Sequence, residues 1–304
     1  MAALGLLWGS LAWSDTVPSS QISTEVGVVY EVQTAPLIRV SPQGNLISID
    51  GLQQLANSSF RGGVQGFKNW QLDNGLGVSL SGDASQKRTP DSQAFDFGSA
   101  SVQSSLHWPT PWGTLGWGLA FQHLEVAGRT FRLVRSTQFD WTVADANGSH
   151  WAVITDFGLN RHPDEWTELD ASTQSLVLQR HIAKPLAGFE SLEVAAYLTQ
   201  ERNEKGFEEL SYRSLMLATA LKWDWQGLNL SAGATFQKAK FAESAFAEEP
   251  VRIDRALGIE LAIERELSPN HTLRVEYNEV RNYSTIRLYD NQYQQFAIKL
   301  RSTW

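Results

Sequence analysis

The sequence predicts a transmembrane, antiparallel, up-and-down β-barrel of about 14 strands, with short periplasmic turns and longer extracellular loops. Three observations predict it. Apolar and polar residues alternate with period two along the chain, short and long connections alternate between the strands, and the last strand ends on an aromatic residue. The 304 residues carry a net charge of −8 and a mean hydropathy of −0.27. Beyond a short N-terminal run, no apolar stretch approaches the roughly 20 residues a spanning helix needs. A barrel strand is half lipid-facing and half lumen-facing, so low mean hydropathy does not count against it. The 12 Trp, 14 Phe and 7 Tyr would furnish aromatic girdles at both membrane interfaces. Absence of cysteine suits export through an oxidising compartment. The acidic balance excludes a nucleic-acid footprint.

The N-terminus reads as an export signal. Ala2 to Trp13 is apolar but too short to span, and Ala12-Trp13-Ser14 places small residues around a cleavage site after Ser14 or a few residues later, as far as 20. The barrel then occupies residues 21–304, in a Gram-negative outer membrane.

Period two is explicit in each strand. Ile22, Thr24, Val26, Val28, Tyr30 and Val32 share one face, opposed by Ser23, Glu25, Gly27, Val29 and Glu31. Leu76, Val78 and Leu80 alternate with Gly77, Ser79, Ser81 and Asp83, and Trp151, Val153, Thr155, Phe157 and Leu159 with Asp156, Gly158 and Asn160. Leu228 to Phe236 and Leu257 to Ile263 repeat the pattern. One face is apolar and aromatic, the other small, polar or charged. Short turns fall at 73–75, 109–113, 145–148, 184–190, 225–227 and 268–270. Longer polar connections fall at 33–57, 88–93, 161–170, 203–210, 241–250 and 282–290, with a short exception at 127–129. If the first strand rises from the periplasm, every short turn lies inside and the long loops lie outside. In the last strand Phe296, Ile298, Leu300 and terminal Trp304 share a parity and form the expected C-terminal insertion signal, read by the barrel-assembly machinery.

No grouping promises covalent chemistry, and no cofactor or metal is expected. Ser149 and His150 adjoin, but neighbouring strand residues point to opposite faces, and Asn147-Gly148 is a hairpin turn that favours positive φ at both positions. The six His show neither strand nor helical metal spacing. Asp164, Glu165, Glu168 and Asp170, and likewise Glu248 and Glu249, lack the ligand spacing of a calcium loop. They read as solvated loop charges at a surface made of outer-membrane lipids and lipopolysaccharide. Intramembrane charges are costly unless they face water. Parity sends Glu25, Asp83, Asp156, Glu193, Glu260, Arg274 and Glu276 into the lumen, together with Gln103, Gln122, Asp140 and Glu264. Their acidic majority predicts mild cation preference for an open bore.

Two segments resemble a known family. Val26-Gly27-Val28-Val29-Tyr30-Glu31-Val32-Gln33-Thr34-Ala35-Pro36 is similar to the opening strand of the surface lipoprotein assembly modifier barrels. In those, a Gly-containing alternating strand leads to Tyr-Asp-Ser-Asn-Val-Asn and Ala-Pro. Tyr30, Ala35 and Pro36 match in place; the Asp-Ser-Asn is missing. Arg274-Val275-Glu276-Tyr277, then Arg281-Asn282-Tyr283-Ser284-Thr285-Ile286 and Leu288-Tyr289-Asp290, resemble the family's last hairpin. The resemblance implies an outer-membrane translocon that helps lipoprotein or secreted cargo reach the cell surface. The family's periplasmic helical-repeat domain has no counterpart in these residues, where no 34-residue repeat is found. The alternative reading is a general or substrate-specific porin.

Overall fold

A computed structural model of the protein describes residues 20–40, 46–73, 75–90, 96–186, 188–244 and 250–304. The expected export signal at 1–14 lies outside them. Fourteen strands form one antiparallel ladder: β1 (Ser20–Val40), β2 (Leu46–Gln71), β3 (Gly77–Arg88), β4 (Phe97–Thr110), β5 (Gly113–Val126), β6 (Arg129–Ala144), β7 (His150–Arg161), β8 (Ala171–Ala183), β9 (Phe189–Asn203), β10 (Tyr212–Trp225), β11 (Leu228–Phe241), β12 (Ile253–Ser268), β13 (His271–Ser284) and β14 (Asn291–Thr303). Each strand pairs with its sequence neighbours, and β1 pairs with β14, so the sheet closes on itself. Closure satisfies every strand edge within the wall, the condition for crossing a bilayer as sheet.

The closing pair runs without a break from Ser23 opposite Thr303 to Thr34 opposite Gln292. Below it, Ile22 and Trp304 exchange two backbone hydrogen bonds of 3.1 and 2.9 Å. Outward positions are apolar and exposed, as in Val26, Val28 and Tyr30 of β1, Leu257, Ile259 and Leu261 of β12, and Phe296, Ile298 and Leu300 of β14. This inverted surface, apolar where it meets solvent, belongs in acyl chains. The chain is a Gram-negative outer-membrane barrel.

The turns follow their local sequence. Ala127-Gly128 and Gln226-Gly227 both take positive φ, the mirror-image turn that matches strand twist. Asn147-Gly148 does not: only Gly148 is left-handed, with φ +82°, while Asn147 Oδ1 accepts the Ser149 amide at 3.0 Å. The expected two-residue turn is replaced by a longer one, closed by the Asp145 amide donating to the Ser149 carbonyl at 2.6 Å.

Two expectations need correction. Residues 33–57 do not form a loop: β1 continues to Val40 and β2 begins at Leu46, with backbone register running on through Pro36 opposite Leu52. Beyond Thr34, β1 has no β14 partner, so this hairpin rises past its neighbours as an edge, where proline is tolerated. The aromatic girdle is also one-sided for tryptophan. Trp70, Trp108, Trp141, Trp151, Trp223, Trp225 and Trp304 all lie within four residues of a short turn or the C-terminus, on the outward parity. Among the described residues only Trp166 lies at the loop end.

Candidate functional site in the barrel lumen

The inward parity of β12, β13, β14 and β1 converges on a charged cluster. Arg274 of β13 donates to Glu264 and to Glu276, and approaches Glu260 at 3.6 Å. Lys299 of β14 bridges Glu276 at 2.6 Å and Glu25 of β1 at 3.3 Å, and Arg301 reaches Glu25 at 3.5 Å. Four carboxylates thus meet three cations, a net charge of −1. The register makes the cluster: Glu264 opposes Arg274, Arg274 opposes Lys299, and Glu25 opposes Arg301. Gly27 opposes Lys299 and leaves room for its stem, since a Cβ there would meet Lys299 Cγ at 2.8 Å.

A second cluster ties the same seam nearer the extracellular side. Tyr293 donates its hydroxyl to Glu31 at 2.7 Å, Gln295 donates to it at 3.4 Å, and Lys87 pairs with it at 2.7 Å across the intervening β2. Val29 and Ala297, directly opposed between the two clusters, are fully buried beneath lumen side chains.

The other expected lumen residues are spread around the wall. Asp83 accepts from Ser101, and Asp156 stands across the ladders from Gln138 and Ser175. Glu193 opposes His181 with 3.5 Å between Oε1 and Nδ1, and His181 stacks on His150 at 4.9 Å. Register brings that His pair together from positions 31 apart in sequence, which spacing rules could not find. Ser149 and His150 part company: Ser149 Oγ accepts the Ala183 amide at 3.0 Å, and His150 lies in the histidine stack. Glu31 was expected only as part of the polar face of β1, and Lys299, Arg301 and Lys87 were absent from the sequence expectation, although parity alone assigns all four to the lumen.

The lumen is not polar throughout. Val177, Ala195, Tyr197 and Ala218 of β8, β9 and β10 form a buried cluster with Ile154 and Met216 beside it, all on the inward parity. The bore therefore has a charged cluster on β12–β14 and β1 and a small apolar patch on β7–β10 set among Asp156, His150, His181 and Glu193. Among the described residues no group of three or more His, Asp or Glu could hold a metal ion.

At the extracellular rim, the last hairpin is interlocked by the residues that carry the family resemblance. Asn282 donates to the Tyr289 carbonyl at 2.8 Å, and Asp290 accepts the Ser284 amide at 2.6 Å. Ile286 is buried. Arg252, bound to Asp254, stacks on Tyr289 at 3.4 Å and Phe241 at 4.2 Å. In the loop joining β7 and β8, His162 is packed edge-on against Phe131 at 5.3 Å, and its amide donates to Asp170 at 2.8 Å. Burial pushes its imidazole below the usual histidine range. In the β3–β4 connection the Thr89 amide and the Arg88 guanidinium, which bind Asp96 at 2.7 and 2.9 Å, hold its carboxyl below the usual carboxylate range.

Closed wall, apolar exterior and charged interior define a class, the outer-membrane β-barrels. No family model matches the chain, and no curated protein sequence does. Among solved structures the chain is similar to OmpT, an outer membrane protein of Vibrio cholerae, at 10% identity over 94% of this chain and 100% of that chain, with a TM-score of 0.48. It is similar to an anion-selective porin from Comamonas acidovorans at 10% identity over 93% and 100%, with a TM-score of 0.43. It is also similar to Pseudomonas aeruginosa OpdK with vanillate, at 8% identity over 94% and 99%, with a TM-score of 0.43.

Proposed function

We propose that this barrel is a passage across the outer membrane of the surface lipoprotein assembly modifier type, helping lipoprotein or secreted protein cargo reach the cell surface. The observation that carries the reading is a lumen with a charged cluster on β12–β14 and β1 and an apolar patch on β7–β10. An extended polypeptide presents successive side chains on alternate faces, and a lumen with a charged cluster on one side and an apolar patch on the other can accompany both polar and apolar ones. The interlocked β13–β14 hairpin supports it, because Asn282, Ser284, Ile286 and Asp290, which carry the resemblance, also hold the loop together. Of the two routes, lumen or lateral seam, the unbroken β1–β14 pairing tied by Glu25 and Glu31 supports the lumen. Binding and exclusion do this work; no covalent step and no cofactor enter it. Deleting the chain should remove one or a few proteins from the cell surface without changing small-solute permeability. A permeability defect with an unchanged surface proteome refutes it.

The excess of carboxylates over cations on inward strand positions favours a second reading, a cation-preferring channel. A large, steady, ohmic current in planar bilayers would support that reading against the first.

A further inference from the structure

The outer wall carries the opposite charge pattern to the lumen. On outward strand positions cations outnumber carboxylates. Their densest cluster is at the extracellular end of β9–β12, where Arg202, Arg213, Lys238, Lys240 and Arg255 are all exposed. Register places Arg213 directly opposite Lys240, and Lys238 directly opposite Arg255. Like charges directly opposed across an antiparallel ladder destabilise it. At three other outward positions the chain supplies a counter-ion: Arg88 has Asp96, Arg161 has Glu204 and Arg281 has Glu279. Among the described residues none of the five clustered cations has an ion-pair partner. Directly below them the outward surface turns apolar, through Leu215 and Leu217, Phe236, and Leu257 and Ile259. Two opposed cation pairs above a greasy wall suit an anion that carries acyl chains.

We propose that this face of β9–β12 binds the phosphate groups of outer-leaflet lipopolysaccharide. Arg213 and Arg255 present guanidinium forks that match phosphate oxygens in bidentate fashion, while Lys238 and Lys240 act as point charges between them. The acyl chains of the same molecule lie along the leucines and Phe236 beneath. The site is independent of what passes through the lumen.

The test uses the full chain in detergent micelles, with bis-phosphorylated lipid A as the probe and binding read by native mass spectrometry. The variant R213Q/K238Q/K240Q/R255Q should bind at least tenfold more weakly, since each basic side chain at a membrane surface is worth roughly fivefold. K68Q/R265Q, which neutralises two outward cations at the tryptophan end, should bind as the parent does. Dephosphorylated lipid A should bind the parent as weakly as the quadruple variant binds lipid A. Equal binding of the two lipids, or an unaltered quadruple variant, overturns the proposal. So does competition by millimolar inorganic phosphate that leaves no preference for the lipid, the mark of a small-anion site. A second reading separates binding from folding. Without anionic lipid, K240Q/R255Q should melt higher than the parent because the opposed charges are relieved, and lipid A should reverse that order. An order that lipid A leaves unchanged refutes it.

Discussion

Lys299 is the side chain on which the lumen network can be measured. Its ammonium sits 2.6 Å from Glu276 and 3.3 Å from Glu25, with its side chain 8% exposed. Breaking a buried ion pair by removing one partner costs about 3–5 kcal/mol. Two features lower that here. Glu276 keeps Arg274 and Glu25 keeps Arg301, and Glu25 is about a quarter exposed, so lumen water takes up part of its charge. The expected loss for Lys299→Met is therefore roughly 2–3 kcal/mol, some 30- to 150-fold in the unfolding equilibrium. Glu276→Gln should cost less, roughly 1–2 kcal/mol, because Lys299 turns to Glu25 and Arg274 to Glu264. The double variant removes the pair together, so its loss should fall short of the sum by about 1–2 kcal/mol. Urea unfolding of the refolded barrel in lipid vesicles, followed by tryptophan fluorescence, gives all four corners of this cycle. Raising salt from low to half-molar should leave the coupling nearly unchanged, since a shielded pair is screened little. Additivity within about 0.3 kcal/mol, or a coupling that vanishes with salt, would show that the charges are solvated singly and brace nothing.

Other consequences are open to direct measurement. Gly27→Ala should destabilise by about 1–3 kcal/mol and loosen the β1–β14 seam, because its Cβ would lie 2.5 Å from the Ile298 carbonyl oxygen, which cannot step aside; a neutral result in urea unfolding would contradict this. The parent chain has no cysteine, so Val26→Cys with Leu300→Cys, opposed in register, can lock the seam cleanly. Oxidised protein should still deliver cargo if passage is through the lumen, and delivery restored only by reductant would require lateral opening. His162 is buried neutral, with its folded pKa below the unfolded value near 6.5. Its contribution is thus complete above that value and lost as pH falls through the folded one. Hydrogen exchange at 162–170, corrected for intrinsic rate, should rise between pH 7 and pH 5, and His162→Phe should abolish the rise. In a salt gradient the reversal potential of any open state should show cation preference, reduced in Glu25→Gln/Glu260→Gln; anion preference would refute the carboxylate-lined bore.

The barrel was legible because a spanning strand must repeat one decision every two residues. Val26 and Val28, or Leu257 and Ile259, point outward by a pattern needing no long-range knowledge, and turn spacing then fixed the order. The 33–57 segment was misread for a physical reason. Pro36, Gly44 and Gly51 break the alternation, and beyond the membrane no lipid enforces it, although backbone pairing alone continues the hairpin. Among lumen residues the acids were visible one by one, but their partners were not. Lys299 and Arg301 sit on the strand whose other face carries the terminal aromatic pattern, and pairing Lys299 with Glu25 requires knowing that β14 closes on β1. The His150–His181 stack has the same origin in register. The apolar patch of Val177, Ala195, Tyr197 and Ala218 was missed because parity marks a face and not its neighbours.

The same parity that folds the wall also sorts its charge by direction and height. Carboxylates concentrate inward, where water and Arg274, Lys299 or Arg301 stabilise them. Tryptophans ring the periplasmic end, and cations without an ion-pair partner among the described residues crowd the extracellular end of β9–β12. None of these separations is needed to close a sheet, since a barrel with its outward arginines exchanged for serine would keep every backbone hydrogen bond. They do fix the chain in an asymmetric membrane. The indole belt suits the interface of the inner leaflet, and a row of opposed cations is tolerable only where phosphates are dense. Reversed, the barrel would hold Arg213 against Lys240 without that neutralisation and carry its indoles into the phosphate-rich layer. The sidedness of the wall thus orients the lumen, so that the rim formed by Arg252, Tyr289 and Asn282 faces the cell exterior.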